Sequence, residues 1–279
     1  MIMEKPNQIM TKKILKKITV TTFRQKKMQG EKITALTAYD APTAKFAEEC
    51  GVDLILVGDS LGMVVLGYKN TIPVTIEESL HHSAAVVRGT ENSFIVGDMP
   101  FMTYHTGPES ALTNAGRYLK EAGVDAVKIE GGKNMAHTVK HMVEAGVPVL
   151  GHIGLLPQSV LTSGGYRIAG KTEDEIARLI EDAEALETAG AFAVVLEGIP
   201  AEAAKKVTET VSIPTIGIGA GPHCDGQIQV VNDILGLFTD FTPKHARRYA
   251  NLDTEIRRAF TEYTDDVKNG RFPDEKESF

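Results

Sequence analysis

With 279 residues, 42% of them hydrophobic and 24% charged, the chain has the make-up of a soluble protein with one large domain or two ordinary ones. A formal net charge of −7 argues against nucleic-acid binding through phosphate neutralisation and against an anionic membrane surface. No apolar run reaches the roughly 18 residues that a bilayer span requires.

In chain order, residues 1–18 carry a basic stretch at 12–17 with no apolar signal core behind it, and they read as a solvated extension. A catalytic unit is expected over 19–260 and a polar tail over 261–279. Cys50 and Cys224 are the only cysteines, without CxxC spacing or a nearby histidine pattern, so a reduced, cytoplasmic protein is expected.

One local pattern recurs. A helix ends in a small residue and a glycine, and a strand begins, at Gly51, Gly123, Gly146 and Gly190. Thr75 with Glu78, and Thr172 with Glu175, have capping-box spacing at helix starts. Asp40 and Asn134 are further cap candidates, and Pro200 suits a first helical turn.

Strands are predicted at 33–38, 53–57, 94–97, 125–129, 147–151, 192–196 and 214–219, with a weaker one near 227–231. Eight strands alternating with helices predict an α/β fold, a single-domain (β/α)8 barrel of the TIM type. An open doubly wound sheet is the rival, weakened because no GxGxxG follows the first strand. The connection 61–73 has room for a small hairpin around Lys69 and Asn70, and 153–171 has the glycine content of a mobile loop. A last helical region is expected over 238–260.

Alternation along a strand sets the chemistry. In the run 124–132, Ala126, Lys128 and Glu130 share one face while Val127 and Ile129 share the other. A cation and a carboxylate there are costly to bury unless partnered. Asp59, Asp98 and Glu130 then come from the ends of three consecutive strands, on the rim where barrels build their sites. Crowded carboxylates repel, and a hard divalent ion such as magnesium, with oxygen ligands, relieves them; loop capping by rim carboxylates is the plainer alternative. Glu197, at the end of the sixth strand, stands apart and suits a general base. Lys128 would stabilise a carboxylate or enolate oxygen, Ser60 could donate to an anionic substrate, and His152 ends the fifth strand on the same rim. His81 and His82 fall off their helix's apolar stripe, His105, His137, His141, His223 and His245 carry no pattern, and GIGAG at 217–221 reads as a tight turn rather than a phosphate cradle.

Six motifs, VGDSLG (57–62), GDMPF (97–101), VKIEGG (127–132), GHIGLLPQ (151–158), LEGIP (196–200) and GIGAGPHCDGQ (217–227), in this order and spacing, resemble the ketopantoate hydroxymethyltransferase family. Leu156, Ala169 and Gln229 depart from the family's usual residues without removing a proposed catalytic group. The resemblance implies a barrel enzyme that transfers a hydroxymethyl group from 5,10-methylenetetrahydrofolate to 3-methyl-2-oxobutanoate, giving ketopantoate on the route to pantothenate and coenzyme A. It implies one Mg2+ per subunit held by Asp59, Asp98 and Glu130, keto-acid contacts from Ser60, Asp98 and Lys128, and Glu197 as the base acting on a Mg-stabilised enolate. A homo-oligomer, often a decamer, is implied as well. The rivals are a carbon–carbon lyase of the phosphoenolpyruvate mutase and isocitrate lyase kind, for which no KxCGH-like loop is found, and a non-enzymatic barrel, which gives no reason for acids at four strand ends.

Overall fold

The computed structural model describes residues 16–239 and 243–279. Residues 1–15, which hold most of the predicted extension and much of its basic stretch, lie outside the described residues. Eight parallel strands close into a barrel in chain order: β1 (Ile33–Thr37), β2 (Leu54–Val57), β3 (Phe94–Asp98), β4 (Ala126–Glu130), β5 (Val149–Gly154), β6 (Ala193–Glu197), β7 (Thr215–Ile218) and β8 (Gly226–Gln229). Closure through pairing of β1 with β8 sets the open sheet aside. The four helix-stop glycines, Gly51, Gly123, Gly146 and Gly190, have φ between +77° and +96°, the left-handed conformation that ends a helix and turns the chain into the next strand.

Two cores follow from strand alternation. Ile33, Leu54, Leu56, Phe94, Val96, Ala126, Leu150, Ala193, Val195 and Ile216 fill the barrel's interior. Val127 and Ile129, on the opposite parity, pack outward under the helices. The inward row of β4 is therefore Ala126, Lys128, Glu130, as the alternation predicts.

The lower end of the barrel is plugged by a helix that the strand pattern does not announce, Val20–Gln29. Its Phe23 is fully buried and meets Phe94 edge to face at 5.2 Å and Phe192 at 5.8 Å. Asp53, Asp125 and Asp225 form a ring at this end. Each accepts an amide from the first or second residue of a neighbouring strand, Thr34, Ile95 and Thr215. They pair with Lys26 at 2.9 Å, Lys17 at 2.7 Å and Lys27 at 3.0 Å. The last residues of the predicted extension are thus docked, since Lys17 also donates to Ser93 O and Ile18 N to Asn92 O.

Several local expectations change. No hairpin forms around Lys69 and Asn70; the connection holds a short helix, Leu61–Val64, and turns. Asn134 does not cap a helix, because a 3-10 turn, Lys133–Met135, runs straight into Ala136–Glu144. Asp40 caps as expected, with Thr43 N at 2.8 Å. The Thr75–Glu78 capping box is complete, whereas Thr172 receives Glu175 N but Glu175 turns to Lys171 N. The last helical region divides. Gly236, in the left-handed region, stops Val231–Leu235, and the long helix begins only at Leu252 and continues to Lys268, across the predicted boundary at 261.

Candidate active site

Strand register decides which side chains meet at the upper rim. Asp98 pairs with Lys128 across β3 and β4, Glu130 with His152 across β4 and β5, and Gly154 with Glu197 across β5 and β6. Residues at equal height with inward parity converge, so Asp98, Lys128, Glu130, His152 and Glu197 face one cavity of about 420 Å³. Asp59 and Ser60, in the turn after β2, complete the predicted set around it.

The contacts are dense. Lys128 Nζ lies 2.7 and 2.9 Å from the two oxygens of Asp98 and 3.9 Å from Glu130 Oε1. Asp98 Oδ2 also accepts Asp59 N at 3.1 Å, tying the end of β3 to the turn after β2. Ser60 Oγ shares a hydrogen bond with Tyr39 OH at 2.9 Å. His152, fully buried, stands between two acids, with Nδ1 3.6 Å from Glu130 Oε1 and Nε2 3.3 Å from Glu197 Oε2. Neither ring nitrogen makes a well-aligned hydrogen bond.

Burial sets the electrostatics. It pushes Asp59 up to about 7, the charge of Asp98 adds to the rise, and Lys128 and Gln158 oppose it. Glu130 is raised well above the usual carboxylate range by burial, against Lys128 and with Asp59 and Asp98. Burial alone would lower Lys128, but Asp98, Glu130 and Asp59 hold it above the ordinary lysine value, so it stays an ammonium. His152 is lowered by burial and by Lys128, and is a neutral imidazole at pH 7.

Three buried carboxyl groups facing one ammonium leave a deficit of positive charge, which protons held by Asp59 and Glu130 relieve in the cation-free protein. Glu130 Oε1 has no hydrogen-bond donor. An all-oxygen donor set with an orphaned buried oxygen fits a hard divalent cation. As the side chains stand, no group of three His, Cys, Asp or Glu among the described residues is gathered to hold an ion, and both oxygens of Asp98 are taken by Lys128. The structure therefore brings the three predicted acids to one cavity but not around one point.

Residues that the strand pattern does not single out complete the cavity. Gln158 and Tyr104 sit behind the acids. Tyr166, Phe238, Lys244 and His245 line the outer wall, so His245, patternless in sequence, belongs to the site. Gln158 lies within the GHIGLLPQ motif, the one sequence signal that could have found it.

A family model described as ketopantoate hydroxymethyltransferase matches residues 17–275. The chain is 57% identical over 261 residues to a 3-methyl-2-oxobutanoate hydroxymethyltransferase of Dehalococcoides mccartyi (strain CBDB1), covering 94% of each chain. It is 54% identical over 264 residues to the protein of that name from Syntrophus aciditrophicus (strain SB), covering 95% of this chain and 97% of the relative. Among solved structures, a phosphoenolpyruvate phosphomutase from Streptomyces platensis subsp. rosaceus superposes with TM-score 0.60 at 15% identity, over 90% of this chain and 88% of the other. A 2,3-dimethylmalate lyase of the PEP mutase/isocitrate lyase superfamily does so with TM-score 0.57 at 18% identity, over 93% and 91%. These two likenesses concern the fold alone.

Proposed function

The chain belongs to the ketopantoate hydroxymethyltransferase family, and from that premise we propose how its own residues carry the reaction. It is a hydroxymethyltransferase acting on 3-methyl-2-oxobutanoate. The proposed one-carbon donor is 5,10-methylenetetrahydrofolate, and the proposed metal is Mg2+, which Asp59, Asp98 and Glu130 would hold. When bound, such a cation supplies Lewis-acid polarisation of the keto acid's oxygens.

The remaining steps belong to the chain. The Lys128 ammonium, kept charged by its acids, attracts the keto acid's carboxylate and the oxygen that gains charge as the enolate forms. Ser60 Oγ, held by Tyr39, is placed to donate to the same anion. Glu197 removes the lone proton on carbon 3. Its side chain keeps 20% exposure where the other acids are buried, and His152 stands between it and Glu130. The C–H electron pair becomes the enolate, which forms a carbon–carbon bond to the donor's methylene carbon. The methylene carbon bridges two nitrogens of the donor: one carbon–nitrogen bond opens to leave the electrophilic carbon that the enolate attacks, and water displaces the second nitrogen, its oxygen becoming the product's hydroxyl. The proton taken by Glu197 and the one released by water end on the two nitrogens of the departing tetrahydrofolate.

One observation carries the division of roles. Asp98, Lys128 and Glu130 lie together, whereas Glu197 is set off from them behind a neutral imidazole. Glu197→Gln is expected to keep keto-acid binding and to lose exchange of the carbon 3 proton with deuterium oxide by at least about a hundredfold, the usual worth of a general base. Proton exchange at the parent rate in that variant would remove Glu197 as the base. Two free cysteines support a reduced, cytoplasmic setting, and among the described residues no helix is long and apolar enough to cross a membrane. Exposed Ile256, Phe260, Tyr263 and Val267 along the last helix support a homo-oligomer.

A further inference from the structure

Gln158 lies in the turn Pro157–Ser159 after β5 and is 3% exposed. Its side chain and backbone reach three other strand ends. Backbone N donates to Glu130 Oε2 at 3.0 Å. Nε2 donates to Asp59 Oδ2 and to Met99 O, both at 3.0 Å. Oε1 accepts from Tyr104 OH at 2.7 Å.

The orientation of this amide is fixed by its neighbours. Glu130 N donates to the Tyr104 oxygen at 3.1 Å, so the hydroxyl hydrogen is free to go to Gln158 Oε1. The NH2 group is then left for a carboxylate and a carbonyl, two acceptors that a flipped amide would meet with its own oxygen. Every hydrogen of the amide is used in a buried place, where each lost partner is costly.

We propose that Gln158 is the positioning residue that makes the alignment of Asp59 and Glu130 conditional on the seating of the loop after β5. It engages Oδ2 of Asp59 and Oε2 of Glu130, so one oxygen of each acid is anchored by Gln158, and Glu130 Oε1 is left without a donor. The same loop carries Tyr166, which lines that cavity, so displacing the loop withdraws a wall and the acids' anchor together. The inference rests on the reading of Asp59 and Glu130 as holders of the cation and keto acid.

The test is a titration of the full-length chain with 3-methyl-2-oxobutanoate by calorimetry, with Mn2+ or Mg2+ present and then chelated, alongside KM and kcat. Gln158→Leu should weaken the cation-dependent part of binding roughly ten- to a hundredfold, as loss of a group that orients metal ligands does, and should raise KM. Tyr104→Phe, which removes the hydroxyl that orients the amide and also accepts Glu130 N, should give a loss of the same kind. The double variant should lose less than the sum of the two single losses, because the two substitutions share the Gln158 amide. Parent-like cation-dependent binding in either single variant, or losses that simply add, would overturn the assignment. If Gln158→Leu does not fold, Tyr104→Phe alone decides. Absence of cation-dependent binding in the unsubstituted chain would instead remove the reading of the acids, and the inference with it.

Discussion

Asp59 shows how burial becomes a measurable property. Its carboxyl has an ordinary value of 3.8 and is pushed up to about 7 by burial and by Asp98. Below both values the folded and unfolded chains are equally protonated at this site. Between about 4 and 7 the folded chain keeps a proton that the unfolded chain releases, so stability falls as pH rises through that window and levels off above it. Glu130, raised in the same direction, adds to the slope. Asp59→Asn should flatten the profile of the metal-free protein and raise its Tm at pH 8 above the parent's. Mg2+ should raise the parent's Tm more at pH 8 than at pH 5. A chelated parent whose Tm does not change between pH 5 and 8 would contradict this electrostatic account. Asp98 and Glu130 were legible in the sequence because inward alternation places them on one rim, whereas Asp59 shares the outward parity of Val57 and reaches the cavity through the turn after β2. Gln158 was not legible, because its partners Asp59, Met99, Tyr104 and Glu130 lie 99, 59, 54 and 28 positions away in the chain, and only closure of the barrel brings them together.

At the level of elements, the site depends on how tightly each strand end is held. Gly97 precedes Asp98, and a β-carbon there would overlap the ring of Tyr118. Tyr118 OH in turn donates to Asp98 O at 2.9 Å, so the ring that excludes a side chain at 97 also fixes the backbone carrying the acid. Gly97→Ala should cost roughly 1–3 kcal/mol through overpacking, read as a lower urea midpoint, and should weaken keto-acid binding because Asp98 moves with its strand. A variant with the parent's midpoint and affinity would show that the ring gives way freely. The strands were readable because the same glycine stop precedes several of them. The helix Val20–Gln29 was not, since Phe23 is its single buried residue and leaves no periodic stripe to recognise. Its importance lies in Phe23 and in Lys26 and Lys27, which meet Asp53 and Asp225 at the lower rim. Carboxylates thus occur at both ends of the barrel. The lower ones have a lysine and a strand amide each, while the upper three share one lysine.

For the whole molecule, the outer surface of the barrel is unevenly covered. Thr34 and Gln227 are exposed and Leu36 and Gln229 are only half-buried on β1 and β8, and a cavity of about 770 Å³ opens beside them, lined in part by Leu36, Val52, Ile234 and Tyr249. The last helix, Leu252–Lys268, buries none of its residues. Ile256, Phe260, Tyr263 and Val267 recur at spacings of four, three and four, which puts them on one face, and Phe260 and Tyr263 are 68% and 58% exposed. An apolar helix face and an uncovered sheet face on one chain are complementary, and burying such side chains is worth about 1.5–3 kcal/mol each. In the proposed homo-oligomer a second copy of the chain would cover these faces, because each copy brings both. Paired substitution Phe260→Asp with Tyr263→Asp separates the possibilities. In a monomer, exposed side chains on a surface helix tolerate the change within about 0.5 kcal/mol. In an assembly the same change places charges in an apolar contact, and light scattering should report a fall from the parent's mass toward the 30.2 kDa of one chain. A parent that already scatters as one chain, or a variant that keeps the parent's larger mass, would rule out this face as the contact between copies.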